Sequence, residues 1–198
     1  MKNTCTTIIK KGTYLNLMYT LFDHNNKTGG WTWVERPNNQ KAVAIAAIIR
    51  ENNKFNDKIS KSNIGENIKL IVIKEFRVPL NDYEWGLPAG LIDDNELIEE
   101  TAKRELLEET GCEITKILRS TPFIYNSPGI TNESIAIVYA EAKRESLQRL
   151  EGSEDIEVYL MNKREVRRLM ERGKLNEIKI GAKAWMIFEM FTKQNNLD

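Results

Sequence analysis

Glu105, Glu108 and Glu109 stand at i, i+3 and i+4 in mid-chain, and at helical pitch that spacing brings their carboxylates to one side of one helix. Like charges so close weaken a helix by roughly a few tenths of a kcal/mol per pair. Hard divalent cations such as Mg²⁺ take oxygen ligands and relieve that repulsion. The chain holds one histidine, His24, in an expected turn from Asp23 to Gly30, and two cysteines, Cys5 and Cys112. Histidine triads, multi-histidine zinc sites and a disulfide framework are therefore excluded. The chemistry rests on carboxylates and hard metal ions.

A solvated surface helix would also be rich in glutamate, and Arg104 could pair with Glu100 or Glu108 one turn away. That reading leaves three features unexplained. Gly90 precedes the cluster, Gly111 closes it where a left-handed C′ residue belongs, and an apolar stripe of Ile98, Ala102 and Leu106 runs beside the acids. The helix is placed at Glu96–Thr110.

Other elements must carry this helix. Gly12–Phe22 and Trp31–Arg36, rich in aromatic and β-branched residues, predict an N-terminal hairpin or small sheet. Ala42–Arg50 and Ile68–Phe76 are apolar runs of strand length, expected as buried strands joined by a long exposed loop at Glu51–Asn67. The segment from Tyr83 to Gly90 reads as a loop into the helix. Strands are expected at Ile114–Ser120, Ser134–Ala142 and Glu157–Met161, and amphipathic helices at Lys163–Arg172 and Gly181–Thr192. Trp185, Ile187, Phe188 and Phe191 on the last helix read as core. The order of elements gives an α/β sandwich.

At 198 residues and 41% hydrophobic content the chain can bury a sizeable core as one catalytic unit. Basic and acidic residues balance at 29 each, so no global field favours nucleic acid or an anionic membrane. The longest apolar run, Ala42 to Ile49, is too short to span a bilayer, and the polar N-terminus lacks the apolar core of a secretory signal. A cytoplasmic location is expected. Cys112 reads as a small buried hydrophobe.

Gly90-Leu-Ile-Asp-Asp-Asn-Glu96, then seven residues to Arg104-Glu-Leu-Leu-Glu-Glu-Thr-Gly-Cys112, resembles the Nudix box at every glycine, glutamate and arginine. The resemblance implies an α/β/α sandwich with a mixed sheet (residues 41–198), together with a small N-terminal antiparallel β-sheet (residues 1–40) that forms a dimer contact. It further implies that Glu105 and Glu109, assisted by Glu108 and the backbone carbonyl of Ala89, hold Mg²⁺ or Mn²⁺ against a diphosphate. Arg104 then has a structural role, pairing with Glu96 or a box carboxylate.

Three flanking segments are similar to ADP-ribose pyrophosphatases. They are Lys74-Glu-Phe-Arg77-Val-Pro79 with Trp85 to Asp93; Ser127-Pro128-Gly129, whose proline lies sixteen residues after Cys112; and Gly30-Trp31-Thr-Trp33-Val-Glu-Arg36. In that likeness Arg77 and Arg36 contact the substrate, and Trp31 or Trp33 stacks on its base. The acidic stretch Leu150–Val158 resembles the loop that supplies a base or last metal ligand, Glu154 or else Glu151. One departure is Gly86-Leu87-Pro88, where the family often carries glutamate before the proline. The implied reaction is ADP-ribose plus water to AMP and ribose 5-phosphate, by a homodimer. Another nucleoside diphosphate sugar such as GDP-mannose, or ADP-ribose sensing without turnover, are the alternatives.

Overall fold

The computed structural model describes residues 1–51, 67–152 and 154–193. Apart from its two ends, the loop expected at Glu51–Asn67 lies outside them. Three strands, β1 (Lys2–Lys10), β2 (Asn16–His24) and β3 (Lys27–Glu35), form an antiparallel N-terminal sheet in the order β1-β2-β3. The expected sheet is present, with one strand more than the sequence pattern indicated. β1 is exposed along its whole length, so no alternation of buried and exposed residues marks it.

The turn expected from Asp23 to Gly30 is tighter than the sequence suggested. Asn25 and Asn26, with φ of 52° and 59°, make a two-residue hairpin turn, while Gly29 and Gly30 lie inside β3. A Cβ on Gly30 would fall 1.9 Å from the Tyr19 hydroxyl, and one on Gly29 would fall 2.5 Å from the Phe22 ring. These glycines serve the cross-strand aromatic rings rather than a turn.

Among the described residues, the second sheet has nine strands. Its main path runs β12 (Lys179–Ile180), β6 (Asp82–Gly86), β5 (Ile68–Arg77), β4 (Ala42–Arg50), β10 (Ser134–Arg144) and β8 (Cys112–Ser120). Off that path, β11 (Ile156–Met161) pairs with β5, β7 (Ala89–Leu91) with β4, and β9 (Ile124–Tyr125) with β10. The sheet is mixed: β10 runs parallel to β4 and antiparallel to β8.

Continuous burial of β4 follows from its position between two helical layers. Val43, Ile45 and Ala47 face the helix α1 (Ile98–Thr110) together with Ala102 and Leu106. Ala46 and Ile48 face the opposite way, toward α2 (Lys163–Lys174) and α3 (Ala182–Lys193), where Val166, Leu169, Ile187, Phe188 and Phe191 pack. Period-two alternation thus sends successive side chains of one apolar run into two cores. Phe188, Ile187 and Phe191 are core, as their spacing predicted, and Trp185 packs against them partly buried.

The segment from Tyr83 to Gly90, read as a loop, is mostly strand. β6 pairs with β5 and β7 with β4, so neighbouring strands supply an order that the short sequence does not display. α1 begins at Ile98 rather than Glu96. The Glu100 carboxylate accepts the Leu97 N–H at 3.0 Å, and Glu99 and Glu100 favour the helix N-terminus electrostatically. At the other end Gly111 sits at φ 68°, the expected left-handed closure, with its N–H donating to Leu107 O at 2.9 Å.

Candidate active site

α1 is amphipathic in the manner the cluster required. Ala102 and Leu106 anchor it to the sheet, and Glu109 is carried inward one turn later, where it is only 4% exposed. Its Oε2 accepts the backbone N–H of Ala89 at 2.9 Å. Burial pushes this carboxyl up to about 9; the Ala89 N–H acts the other way, while the charges of Glu105, Glu75 and Glu154 add to the rise. Glu105 and Glu75 are also raised, again mainly by burial.

These acids line a cavity of about 430 Å³ whose walls also include Arg36, Arg77, Ala89, Gly90, Glu151 and Glu154. Of the residues singled out from the sequence, the fold therefore gathers Ala89, Glu105, Glu109, Glu151, Glu154, Arg36 and Arg77. Two do not line it. Glu108 lies at its margin, 46% exposed and bonded to Arg104 at 3.2 Å. Trp31 lines a neighbouring cleft of about 300 Å³ with Trp33, Tyr125 and Pro128, its indole N–H donating to Gly129 O at 3.1 Å.

Arg104 fastens the turn before α1 to the helix. It reaches Glu96 through Nε at 3.0 Å and Nη2 at 2.8 Å, and Leu91 O through Nη2 at 3.2 Å. The paired contact holds the Glu96 carboxyl down at about 2. The third nitrogen of the same guanidinium donates to Glu105 Oε1 at 2.7 Å. Gly90 is needed beside it, because a Cβ there would lie 1.9 Å from the Glu105 carboxylate.

The acidic loop is tied at both shoulders. Gln148 Nε2 donates to Glu109 O at 2.6 Å and to Ile156 O at 3.2 Å, joining the end of α1 to the start of β11. Tyr83 donates its hydroxyl to Asp155 Oδ2 at 2.6 Å, and Phe76 N–H donates to Asp155 O at 3.1 Å. Inside the loop the Glu151 N–H donates to Glu154 Oε2 at 2.8 Å.

Sequence reasoning missed Glu75, Asn126, Glu133 and Lys183, all of which line the cavity. Glu75 had a signal: it stands two residues before Arg77 on one strand and so shares its face. The others come from distant elements and carried none.

An oxygen-only donor set around a buried, repelling carboxylate fits a hard divalent cation. Among the described residues, however, no three acidic, histidine or cysteine side chains already converge closely enough to hold one. The Glu105 carboxylate is instead bonded to the Arg104 guanidinium.

This fold and this box helix define a Nudix domain. The NUDIX domain model matches residues 59–184, well over half of the chain, and the chain belongs to the Nudix family. It is 36% identical to an ADP-ribose pyrophosphatase of Saccharomyces cerevisiae over 107 residues, 51% of this chain and 46% of that one. It is 34% identical to an ADP-ribose pyrophosphatase of Bacillus subtilis over 113 residues, 56% of this chain and 60% of that one. A Nudix hydrolase of Schizosaccharomyces pombe is 34% identical over 123 residues, 60% of this chain and 53% of that one. The matched segments span roughly half of these relatives' own lengths. The crystal structure of an ADP compounds hydrolase superposes over 98% of this chain and 95% of that one, with a TM-score of 0.69 at 21% identity, a likeness of fold.

Proposed function

We propose that the protein hydrolyses the diphosphate linkage of ADP-ribose, giving AMP and ribose 5-phosphate. The observation that carries this reading is one cavity with Glu75, Glu105, Glu109 and Glu154 on its walls beside Arg36 and Arg77. Carboxylates suit metal ions, the arginines suit phosphoryl oxygens, and both lie within reach of one small diphosphate. The similarity to ADP-ribose pyrophosphatases favours this substrate over other nucleoside diphosphate sugars.

Glu105, Glu109 and Glu154, with Glu108 and the Ala89 carbonyl, would hold Mg²⁺ or Mn²⁺, which neutralises phosphoryl charge and lowers the pKa of water. Glu105 must turn from Arg104 to take part. Glu109 must lose its proton, after which the Ala89 N–H steadies the carboxylate. Arg77, bonded to Glu75 at 2.6 Å and Glu84 at 3.2 Å, offers its remaining donors to the diphosphate. Arg36 does the same from the residue just after β3. Glu154, or Glu151 next to it, accepts the proton of the attacking water. Trp31 or Trp33 stacks on the base in the neighbouring cleft.

Residues 1–40 serve as a dimer contact and residues 41–198 as the catalytic domain. Leu17, Tyr19, Leu21 and Trp31 expose apolar surface on the N-terminal sheet, and a homodimer would cover it. Among the described residues, no helix is long and apolar enough to cross a membrane. Two unpaired cysteines suit the reducing cytoplasm. Incubation with a panel of nucleoside diphosphate compounds and Mg²⁺, with product identification, tests the reaction: preferential cleavage of GDP-mannose would replace the ADP-ribose assignment, and tight ADP-ribose binding without products would indicate a sensor.

A further inference from the structure

One wall of the cavity is built around a single carboxylate. Glu133 Oε1 accepts Arg36 Nε at 2.7 Å, and Glu133 Oε2 accepts Asn126 Nδ2 at 2.8 Å. Burial works against the charge on Glu133, but these two donors outweigh it and hold the carboxyl below its ordinary range. The Asn126 side-chain oxygen then accepts Lys183 Nζ at 3.2 Å. The relay orders residues from three places: the end of the N-terminal sheet, the connection between β9 and β10, and the first turn of α3. All four line the same cavity as Glu105 and Glu109.

Lys183 stands out among the cations there. Arg36 is paired with Glu133, Arg77 with Glu75 and Glu84, and Arg104 with Glu96, Glu105 and Glu108. Among the described residues, the Lys183 ammonium bonds only the neutral Asn126 oxygen. Two of its three donors remain to be used. Burial depresses its pKa, with Glu133 and Glu84 partly offsetting that effect. A half-buried ammonium without a carboxylate partner is costly in isolation and gains most from an anion brought into the cavity.

We propose that Lys183, held in place by Asn126 and Glu133, is a substrate-binding residue that donates to the anionic phosphoryl oxygens of a nucleoside diphosphate. The assignment rests on the reading of this cavity as a diphosphate-hydrolysing centre. Lys183 reaches the anion from α3, while the box acids approach from α1. Its contact is made in ground and transition states alike, so it acts on KM more than on kcat.

The test uses the full chain in two assays. In steady-state hydrolysis of ADP-ribose with Mg²⁺, Lys183→Gln raises KM about tenfold, the effect of losing one charge-assisted hydrogen bond, while kcat changes less than KM. Lys183→Arg recovers most of the loss. Asn126→Ala keeps the lysine but removes its tether and gives a smaller rise. In calorimetric titration, Lys183→Gln weakens ADP about tenfold and leaves adenosine, which has no phosphate, unchanged. The proposal is overturned if KM and ADP affinity stay near wild type in Lys183→Gln, or if Lys183→Arg is as impaired as the glutamine variant. Absence of ADP-ribose turnover in the wild type would instead defeat the functional reading, and the ADP titration would still report on Lys183.

Discussion

The backbone N–H of Ala89 donates to Glu109 Oε2 at 2.9 Å, joining the strand before the box helix to the last turn of that helix. The bond holds the most buried acid of the cavity in place but only partly offsets the burial that keeps it protonated. Glu109→Gln keeps an oxygen for Ala89 and removes the ionisable group. Turnover should fall by roughly 10²-fold or more, the usual consequence of losing a positioned ionisable group or metal ligand. Thermal stability should be unchanged or higher. Turnover close to wild type would remove Glu109 from the chemistry.

The same carboxyl makes stability depend on pH. Folded Glu109 keeps its proton to about 9, against an ordinary 4.5, so between those values the folded chain binds a proton that the unfolded chain has released. Stability in EDTA should therefore fall as pH rises through that window. Mg²⁺ prefers the ionised group and should raise the melting temperature more at pH 9 than at pH 6. The Glu109→Gln variant should show a flatter profile. Melting curves of wild type and variant that run parallel would contradict the assignment.

Gly90→Ala separates activity from folding. The added methyl would sit 1.9 Å from the Glu105 carboxyl group, the mobile end of a side chain that can swing aside. We expect a change in stability within about 1 kcal/mol and a loss of turnover of at least about tenfold, equivalent to roughly 1.4 kcal/mol of barrier. Full activity in Gly90→Ala would show that Glu105 does not need the open space beside Gly90 in its active arrangement.

Arg104→Ala should act through structure. It removes both bonds to Glu96 and the one to Leu91 O, and leaves a half-built turn before α1. A loss of about 2 kcal/mol is expected from denaturant unfolding, in the range for hydrogen bonds to charged groups. Arg104→Lys should not restore it, because a lysine cannot make the two-pronged contact with Glu96. A change below about 0.5 kcal/mol would class Arg104 with ordinary surface ion pairs.

What could be read from sequence was what local rules enforce. The unbroken apolar run of β4 announced burial on both faces, and it fills two cores. The spacing of Glu105 and Glu109, the stripe of Ala102 and Leu106, and Gly111 as closure each follow from helical geometry and recur in the structure. β1 escaped notice because it buries no side chain and so carries no hydrophobic signature. Gly29 and Gly30 misled because their purpose, room for the Phe22 and Tyr19 rings, depends on strand pairing.

The site divides along the same line. Arg36, Arg77, Glu151 and Glu154 were found by motif, and the fold brings them to the cavity. Glu133 and Lys183 reach it only through tertiary packing, from positions with no motif around them, and Asn126 stands just before Ser127-Pro128-Gly129 without belonging to it. Their relation is visible as a chain of hydrogen bonds from Arg36 to Lys183, which no linear spacing encodes.

The proposed reaction turns on attack of water on phosphorus in the carboxylate-lined cavity. Hydrolysis of ADP-ribose in ¹⁸O-labelled water with Mg²⁺, followed by mass spectrometry of the products, tests it most directly. AMP and ribose 5-phosphate with a single label in one product's phosphate group, and no cleavage in EDTA, are expected. Label in free ribose released together with ADP, or no cleavage with Mg²⁺ present, would contradict it.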